Sequence, residues 1–582
     1  MRRSPQLPQR RIPHTVKPNK FVLQLTAALA AGALMLSGCS GDSGSSGSGS
    51  TGSGSSSSTD SVEVAASDFA PTERDDIRDG GELVTAIYEI PEQQNRFHAD
   101  ASAPVVTIWN WYNPQIALFD GEGNYTANPN YISEVTDEVV DGNTVVTFTV
   151  VDDAKWNDGS DIDWTAFETT WRINNGESDD YTPSATDGYE RITSVEEGDS
   201  PKQAVITFDG VYPWWEGLFN QIAHPALADP ANYNSYLKEV HPEWGAGPYT
   251  VENIDFNRGE AVFVRNDKWW GPEGKLDRRI FRQMESQAAI NAFKNGEIDV
   301  VGASSRESYA TVENMDGIDL RMATRPSSGL ITLNSEAGAL GDIKVREAVA
   351  RGLDRELLGQ IRFNGTPYSE TPPGSLIIYP FQEDYQDNFS AAASFDPEAA
   401  KALLEEAGWT EGSSGIREKD GEPLHLTYTL IGDNETSKAQ ATATQKMMKD
   451  IGIDLEIKQR PSSEFSDVYT NRDFEIFPMG FSSSDPYGVA YFGQTYNSDS
   501  QLNLSGTGTP ELDEQIRELQ ALPTAKEQIK RANELETDAF KRYGLIPTGN
   551  GADIYAVKDG LVNTGALGFA VLPVENIGWK KD

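Results

Sequence analysis

One cysteine in 582 residues sets the terms on which this chain can fold. With Cys39 alone, no disulfide framework and no Cys-rich metal site can hold the chain together, so an apolar core must. The length allows it: at about 100–200 residues per domain, two to four folding units are expected. Hydrophobic residues make up 38% of the chain, low for a globular protein. Its 12 Trp, 21 Tyr and 23 Phe nevertheless argue against general disorder. A net charge of −42 makes nucleic-acid phosphates and anionic lipid surfaces poor partners.

The position of that cysteine carries further information. Residues 1–20 hold Arg2, Arg3, Arg10, Arg11, Lys17 and Lys20 and no acidic residue, and an apolar run from Phe21 to Gly38 follows. A basic start, a short apolar stretch and small residues at its end describe a secretory signal over 1–38. The run is barely long enough to span a bilayer. Leu36-Ser37-Gly38-Cys39 resembles the bacterial lipobox, which implies lipidation of Cys39. Ser40 to Ser58 is Gly and Ser except for Asp42 and Thr51. Such a stretch behaves as a flexible coil with a mean reach of about 25 Å. Residues 39–71 are therefore expected to be a tether, and the body to work at the extracytoplasmic face of a bacterial cell membrane, held by lipid alone.

Within the body, strand and helix signals mix. Thr144–Val150, Gln203–Asp209 and Glu260–Arg265 are rich in β-branched residues and bounded by turn residues. Asp396–Gly408 opens with a capping Asp and a Pro and ends at Gly, as helices do. Lys344–Leu358 has helical spacing, and a helix over Ala441–Gly452 is followed by an alternating strand, Ile453–Ile457. An α/β or α+β protein of several layers is expected, without a fixed-period repeat.

Catalytic motifs are absent: the sequence contains no H-E-x-x-H, no G-x-x-x-x-G-K-[ST] and no complete G-x-G-x-x-G. His14, His98, His224, His241 and His425 are scattered without helix-face ligand spacing. Neither an enzyme, a metal site nor a cofactor is expected. Aromatic clusters stand out instead, above all Trp109-Asn110-Trp111-Tyr112. Read as a strand, this segment puts Trp109 and Trp111 on one side and Asn110 and Tyr112 on the other. It can pack into the core or present aromatic surface to a cleft, and both readings stay open.

Several segments together resemble the extracellular solute-binding proteins of family five, the peptide-binding class of ABC importers. The strand Thr147–Val150 leads into Asp153–Ser160, similar to the family's strand and "F-S-D-G" turn. Gly245-Ala246-Gly247-Pro248-Tyr249, Arg265-Asn266 with Trp269-Trp270-Gly271, and Ala292–Asp299 follow in the family's order. Leu333-Asn334, Val345–Val349 with Leu353-Asp354-Arg355, and Asp396–Gly408 complete it. The resemblance implies a two-lobed periplasmic-binding-protein-like fold with a ligand cleft between α/β lobes. Lobe I would span 72–325, lobe II 326–552, and 553–582 would return to lobe I, making that lobe discontinuous. In this class an Asp in a "G-W-x-x-D-x-x-x-P" stretch meets the peptide amino group. Here the run is Gly480-Phe481-Ser482-Ser483-Ser484-Asp485-Pro486, with Phe for Trp and a shorter spacer. Asp485 matches either the binding Asp or the residue before Pro; in the second case Ser483 or Ser484 stands at the binding position.

The candidate ligand residues are therefore Trp109, Asn110, Trp111, Tyr112, Phe481, Ser482, Ser483, Ser484 and Asp485. The expected function is capture of a peptide or peptide-like solute by a monomeric lipoprotein and its delivery to an ABC permease. The alternative is a non-transport envelope regulator or scaffold that keeps the same fold.

Overall fold

The structure, a computed structural model, describes residues 64–461, 464–483 and 485–581. The signal 1–38, Cys39, the tether up to residue 63 and Ser484 lie outside the described residues. The body begins earlier than the expected tether boundary at 71. Asp68 bridges to Ala566, the Thr324 amide donates to the Ala65 carbonyl (3.2 Å), and the Met322 amide donates to Asp68 Oδ2 (3.0 Å). These contacts cover the open edge of the strand Ile318–Thr324, which would otherwise leave ladder groups unpaired.

Two sheets organise the chain. The first has seven strands, in the order Ile318–Thr324, Ala552–Lys558, Val300–Gly302, Glu82–Ile87, Arg278–Gln283, Glu260–Arg265 and Tyr249–Asp255. The second has five, in the order Asp454–Arg460, His425–Ile431, Ile476–Ser482, Ser327–Leu333 and Leu545–Gly549. Each sheet is the centre of one lobe. The chain crosses at Arg325-Pro326, between Ile318–Thr324 and Ser327–Leu333, and returns at Asn550-Gly551. Ala552 already belongs to the returning strand. Lobe I also carries an antiparallel four-stranded sheet (Ile132–Val140, Asn143–Val150, Gln203–Phe208, Ile192–Glu197). Its strand Asn143–Val150 buries every second residue, Thr144, Val146, Phe148 and Val150, and helix Trp164–Asn174 packs on that face.

Local chemistry explains the element ends. Asp396 accepts from the Ala399 amide (2.9 Å), with Pro397 at the first helical position. The single helix expected over Lys344–Leu358 is instead two, Ile343–Gly352 and Arg355–Phe363. Leu353 leaves helical dihedrals (φ −94°, ψ 115°), and Asp354 caps a new helix by accepting from the Leu357 amide (2.9 Å). Helical spacing alone could not register that break.

Lobe II is built around a large apolar core in which one fully buried acid is set. Glu536 accepts from the Leu376 amide (2.9 Å), the Tyr496 hydroxyl (2.8 Å) and Asn388 Nδ2 (2.8 Å). Burial outweighs these donors and pushes its pKa above the usual glutamate value. The folded state therefore holds the Glu536 proton more tightly than the unfolded state. Its contribution to stability grows as pH falls from neutral toward about 4.3 and diminishes as pH rises through the raised value. The stability gap between wild type and Glu536→Gln is expected to widen on acidification from pH 7 to pH 5. The upper limit is roughly 1.4 kcal/mol per pH unit. Denaturant melts in high salt, which screens the surface charge, check this; a gap independent of pH would refute it.

Candidate functional site

Strand direction places the site. Ile318–Thr324 runs parallel to Glu82–Ile87, since each is separated by antiparallel pairing through Ala552–Lys558 or by the parallel pairing of Val300–Gly302 with Glu82–Ile87. The edge of the lobe I sheet at Thr324 and Ile87 therefore gives onto the crossing. In lobe II, Ile476–Ser482 pairs antiparallel with Ser327–Leu333, with Ser482 opposite Ser327. The segment after Ser482 thus emerges beside the same crossing, where the Ser483 amide donates to the Pro326 carbonyl (3.0 Å).

Asp485 lies in that segment. It accepts from the Tyr487 amide (2.8 Å) and from the Tyr491 hydroxyl (2.8 Å). Burial, reinforced by the Asp485 carboxylate, pushes the phenols of Tyr379, Tyr487, Tyr491 and, from lobe I, Tyr212 above their ordinary value. The charge of the acid thus acts on rings of both lobes. Tyr379 Oη also stands 2.8 Å from Ser483 Oγ.

Around this acid the lobes meet through aromatic side chains. The Tyr487 ring lies 5.9 Å from Trp214 and 6.3 Å from Phe119, and its hydroxyl donates to Glu216 Oε2 (2.7 Å). Burial pushes the Glu216 carboxyl up. Trp214 inserts into the lobe II core and donates from Nε1 to Gln528 Oε1 (2.8 Å). Gln494 Nε2 donates to Asp187 Oδ1 (2.6 Å). Phe569 of the returning segment packs against Tyr379 (5.7 Å) and Phe381 (5.6 Å). The seam is therefore closed in this structure and aromatic on both sides.

The structure separates the two groups of residues singled out from sequence. Phe481, next to last in the strand Ile476–Ser482, leans on the lobe II core, and Ser482 is exposed. Trp109, Trp111 and Tyr112 do not line the seam: all three are buried in the lobe I core. The alternating-strand reading fails because Ala103–Trp109 is a helix with Pro104 in its first turn. Its buried Val105, Ile108 and Trp109, with Tyr112 beyond, recur at three, four and seven positions, the helical period. Trp109 packs on Phe97 (5.8 Å), Trp111 on Tyr249 (5.2 Å) and Tyr112 on Phe263 (5.9 Å).

The Gly245–Tyr249 motif explains itself here. The Tyr112 carbonyl accepts from the Ala246 (3.0 Å) and Gly247 (3.1 Å) amides, and a Cβ at Gly247 would lie 2.8 Å from the Tyr112 carbonyl carbon. Only glycine allows that approach. Asn110, half-buried, accepts from Gln221 Nε2 and belongs to a polar group with Gln115 and Arg96. Tyr212, Trp214, Tyr487 and Tyr491 were not singled out as ligand residues. The Trp214-Trp215 pair and the tyrosines just after Asp485-Pro486 were the available signals.

Two α/β lobes joined by two crossings, with rings and charges of both lobes meeting at the seam, define the architecture of two-lobed solute-binding proteins. Residues 126–503 match bacterial extracellular solute-binding proteins, family 5 Middle, and the chain belongs to that family. It is 28% identical over 557 residues to the oligopeptide-binding protein OppA of Mycobacterium tuberculosis (strain H37Rv), covering 94% of this chain and 92% of that protein. It is 30% identical over 339 residues to the probable monoacyl phosphatidylinositol tetramannoside-binding protein LpqW of the same organism, covering 53% of this chain and 52% of that protein. Among solved structures, the periplasmic EDTA-binding protein EppA superposes with a TM-score of 0.79 at 24% identity, covering 88% of this chain and 98% of that one. These relatives bind solutes rather than transform them. Among the described residues, no group of three or more His, Cys, Asp or Glu could hold a metal ion, and no helix is long and apolar enough to cross a membrane.

Proposed function

We propose that this chain is a lipid-anchored binding protein that captures a peptide between its lobes and delivers it to an ABC permease. The observation that carries this reading is the seam beside Asp485, where Trp214, Phe119 and Glu216 of lobe I meet Tyr487 of lobe II, and Asp485 holds Tyr487 and Tyr491. A binder of varied peptides cannot depend on particular side chains of its ligand. It needs apolar walls for those side chains and fixed polar groups for the backbone and ends. Rings supply the walls, and Asp485 is the partner for the ammonium group. The relationship to an oligopeptide-binding protein over nearly the full length supports the same choice of ligand. Cys39, after Leu36-Ser37-Gly38, supplies the anchor. The test is native mass spectrometry of the purified chain. Co-purified peptides from the expression host, released on partial unfolding, are expected; a chain that neither carries nor takes up any member of a peptide library would refute the reading.

A further inference from the structure

Two consecutive tryptophans of lobe I enter different cores. Trp215 packs at home, in the core of the four-stranded sheet, with its ring 5.5 Å from Tyr125 and 5.9 Å from Phe148. Trp214, 7% exposed, is buried among residues of the lobe II core instead. The socket it fills is shaped for it. Gln528, on helix Ala525–Phe540, is buried, and its Nε2 donates to the Gln520 (3.2 Å) and Leu522 (2.9 Å) carbonyls. Those two bonds leave Oε1 for the indole, and it accepts from Trp214 Nε1 (2.8 Å). Among the described residues, Trp214 is the donor that satisfies this buried acceptor. An acceptor left unmet in a core and an indole returned to water are both unfavourable.

The residues that follow dock beside it. The Tyr487 ring of lobe II lies 5.9 Å from Trp214, and its hydroxyl donates to Glu216 Oε2 (2.7 Å). A Cβ at Gly217 would stand 3.2 Å from Tyr487 Cδ2, so the turn Trp215–Gly217 lies flush on that ring. Tyr487 is fixed from its own lobe as well, since its amide donates to Asp485 Oδ1 (2.8 Å). One residue thus joins the acid assigned to the ligand and the turn that reaches over from lobe I.

We propose that the turn 214–217 is a latch that holds the two lobes closed, with Gln528 and Tyr487 as its socket. The proposal rests on the reading above that a solute is captured between the lobes, which must part to admit it. Parting withdraws the indole, exposes its apolar surface and leaves Gln528 Oε1 unmet; closing restores these contacts together. Packed contacts of this kind are bistable, with the ring either in its socket or out of it. Trp214 is therefore a positioning residue. It acts on affinity through the population of the closed arrangement and not by touching the solute. The Tyr487–Asp485 bond couples the two events, because a ligand held at Asp485 steadies the loop that carries the socket ring.

The test compares the full chain with its Trp214→Ala and Trp214→Phe variants. Small-angle X-ray scattering without added solute is expected to give a larger radius of gyration for Trp214→Ala. Trp214→Phe, which keeps a ring but lacks the N–H, should fall in between. Calorimetric titration then uses two tripeptides, one of Ala alone and one of Ala with a central Phe. A tenfold fall in the closed fraction lowers the affinity for either peptide about tenfold. The loss in Trp214→Ala should therefore be the same factor for both, on the order of tenfold. A folded Trp214→Ala with the wild-type radius of gyration would overturn the latch. So would a loss confined to the Phe peptide, which would make Trp214 a wall of the ligand site. If neither peptide binds wild type, the peptide reading fails and the scattering alone decides the latch. If Trp214→Ala does not fold, Trp214→Phe decides by the same two measurements.

Discussion

Trp111→Ala is expected to lower folding stability by about 3–5 kcal/mol, as for other large-to-small changes of buried aromatic residues. The side chain is 5% exposed, stacks edge-on against Tyr249 at 5.2 Å and Phe281 at 6.4 Å, and lies under the Arg279 guanidinium at 5.1 Å. Truncation opens a cavity between a helix end and the lobe I sheet. It also strips packing from Arg279, whose charge is already buried. Peptide affinity of the fraction that remains folded should change little, because none of these contacts is at the seam. Denaturant melts and titration at a temperature where the variant is still folded separate the two effects. A variant as stable as wild type but unable to bind would return Trp111 to the ligand site.

Asp485→Asn should act the other way round. On the proposed reading it weakens binding of a free-amine peptide by roughly one to two decades, the loss of one charge-assisted contact of about 1.5–3 kcal/mol. An N-acetylated peptide should bind the variant and wild type nearly alike. Stability should move less, since an asparagine oxygen can still accept from the Tyr487 amide, although its amide group would face the Tyr491 hydroxyl. Titration with the paired peptides checks this; equal affinity of both proteins for the free amine would remove Asp485 from amino-group recognition.

These two residues mark the division between what was legible in the sequence and what was not. The α/β layering follows from local signals that act over a few residues, whereas the family and its two lobes follow from a resemblance carried by several motifs in order. Asp396-Pro397 caps its helix, the Asn143–Val150 pattern alternates, and Gly245 and Gly247 back onto Tyr112. Each is dictated by dihedral freedom, hydrogen bonding or periodicity, which a sequence displays directly. Asp485 could be singled out because Gly480–Pro486 resembles the family's G-W-x-x-D-x-x-x-P stretch.

Which aromatic residues face the seam was not of that kind. Trp111 and Trp214 are chemically identical and both are largely buried. One fills the core of its own lobe and the other crosses into the core of the opposite lobe. Sequence by itself determined many of the elements, such as the capped helix at Asp396 and the alternating strand Asn143–Val150, because those depend on neighbours along the chain. Tertiary structure alone decided which rings and charges face the seam. That depends on strand direction and on how two lobes distant in sequence bring their edges together.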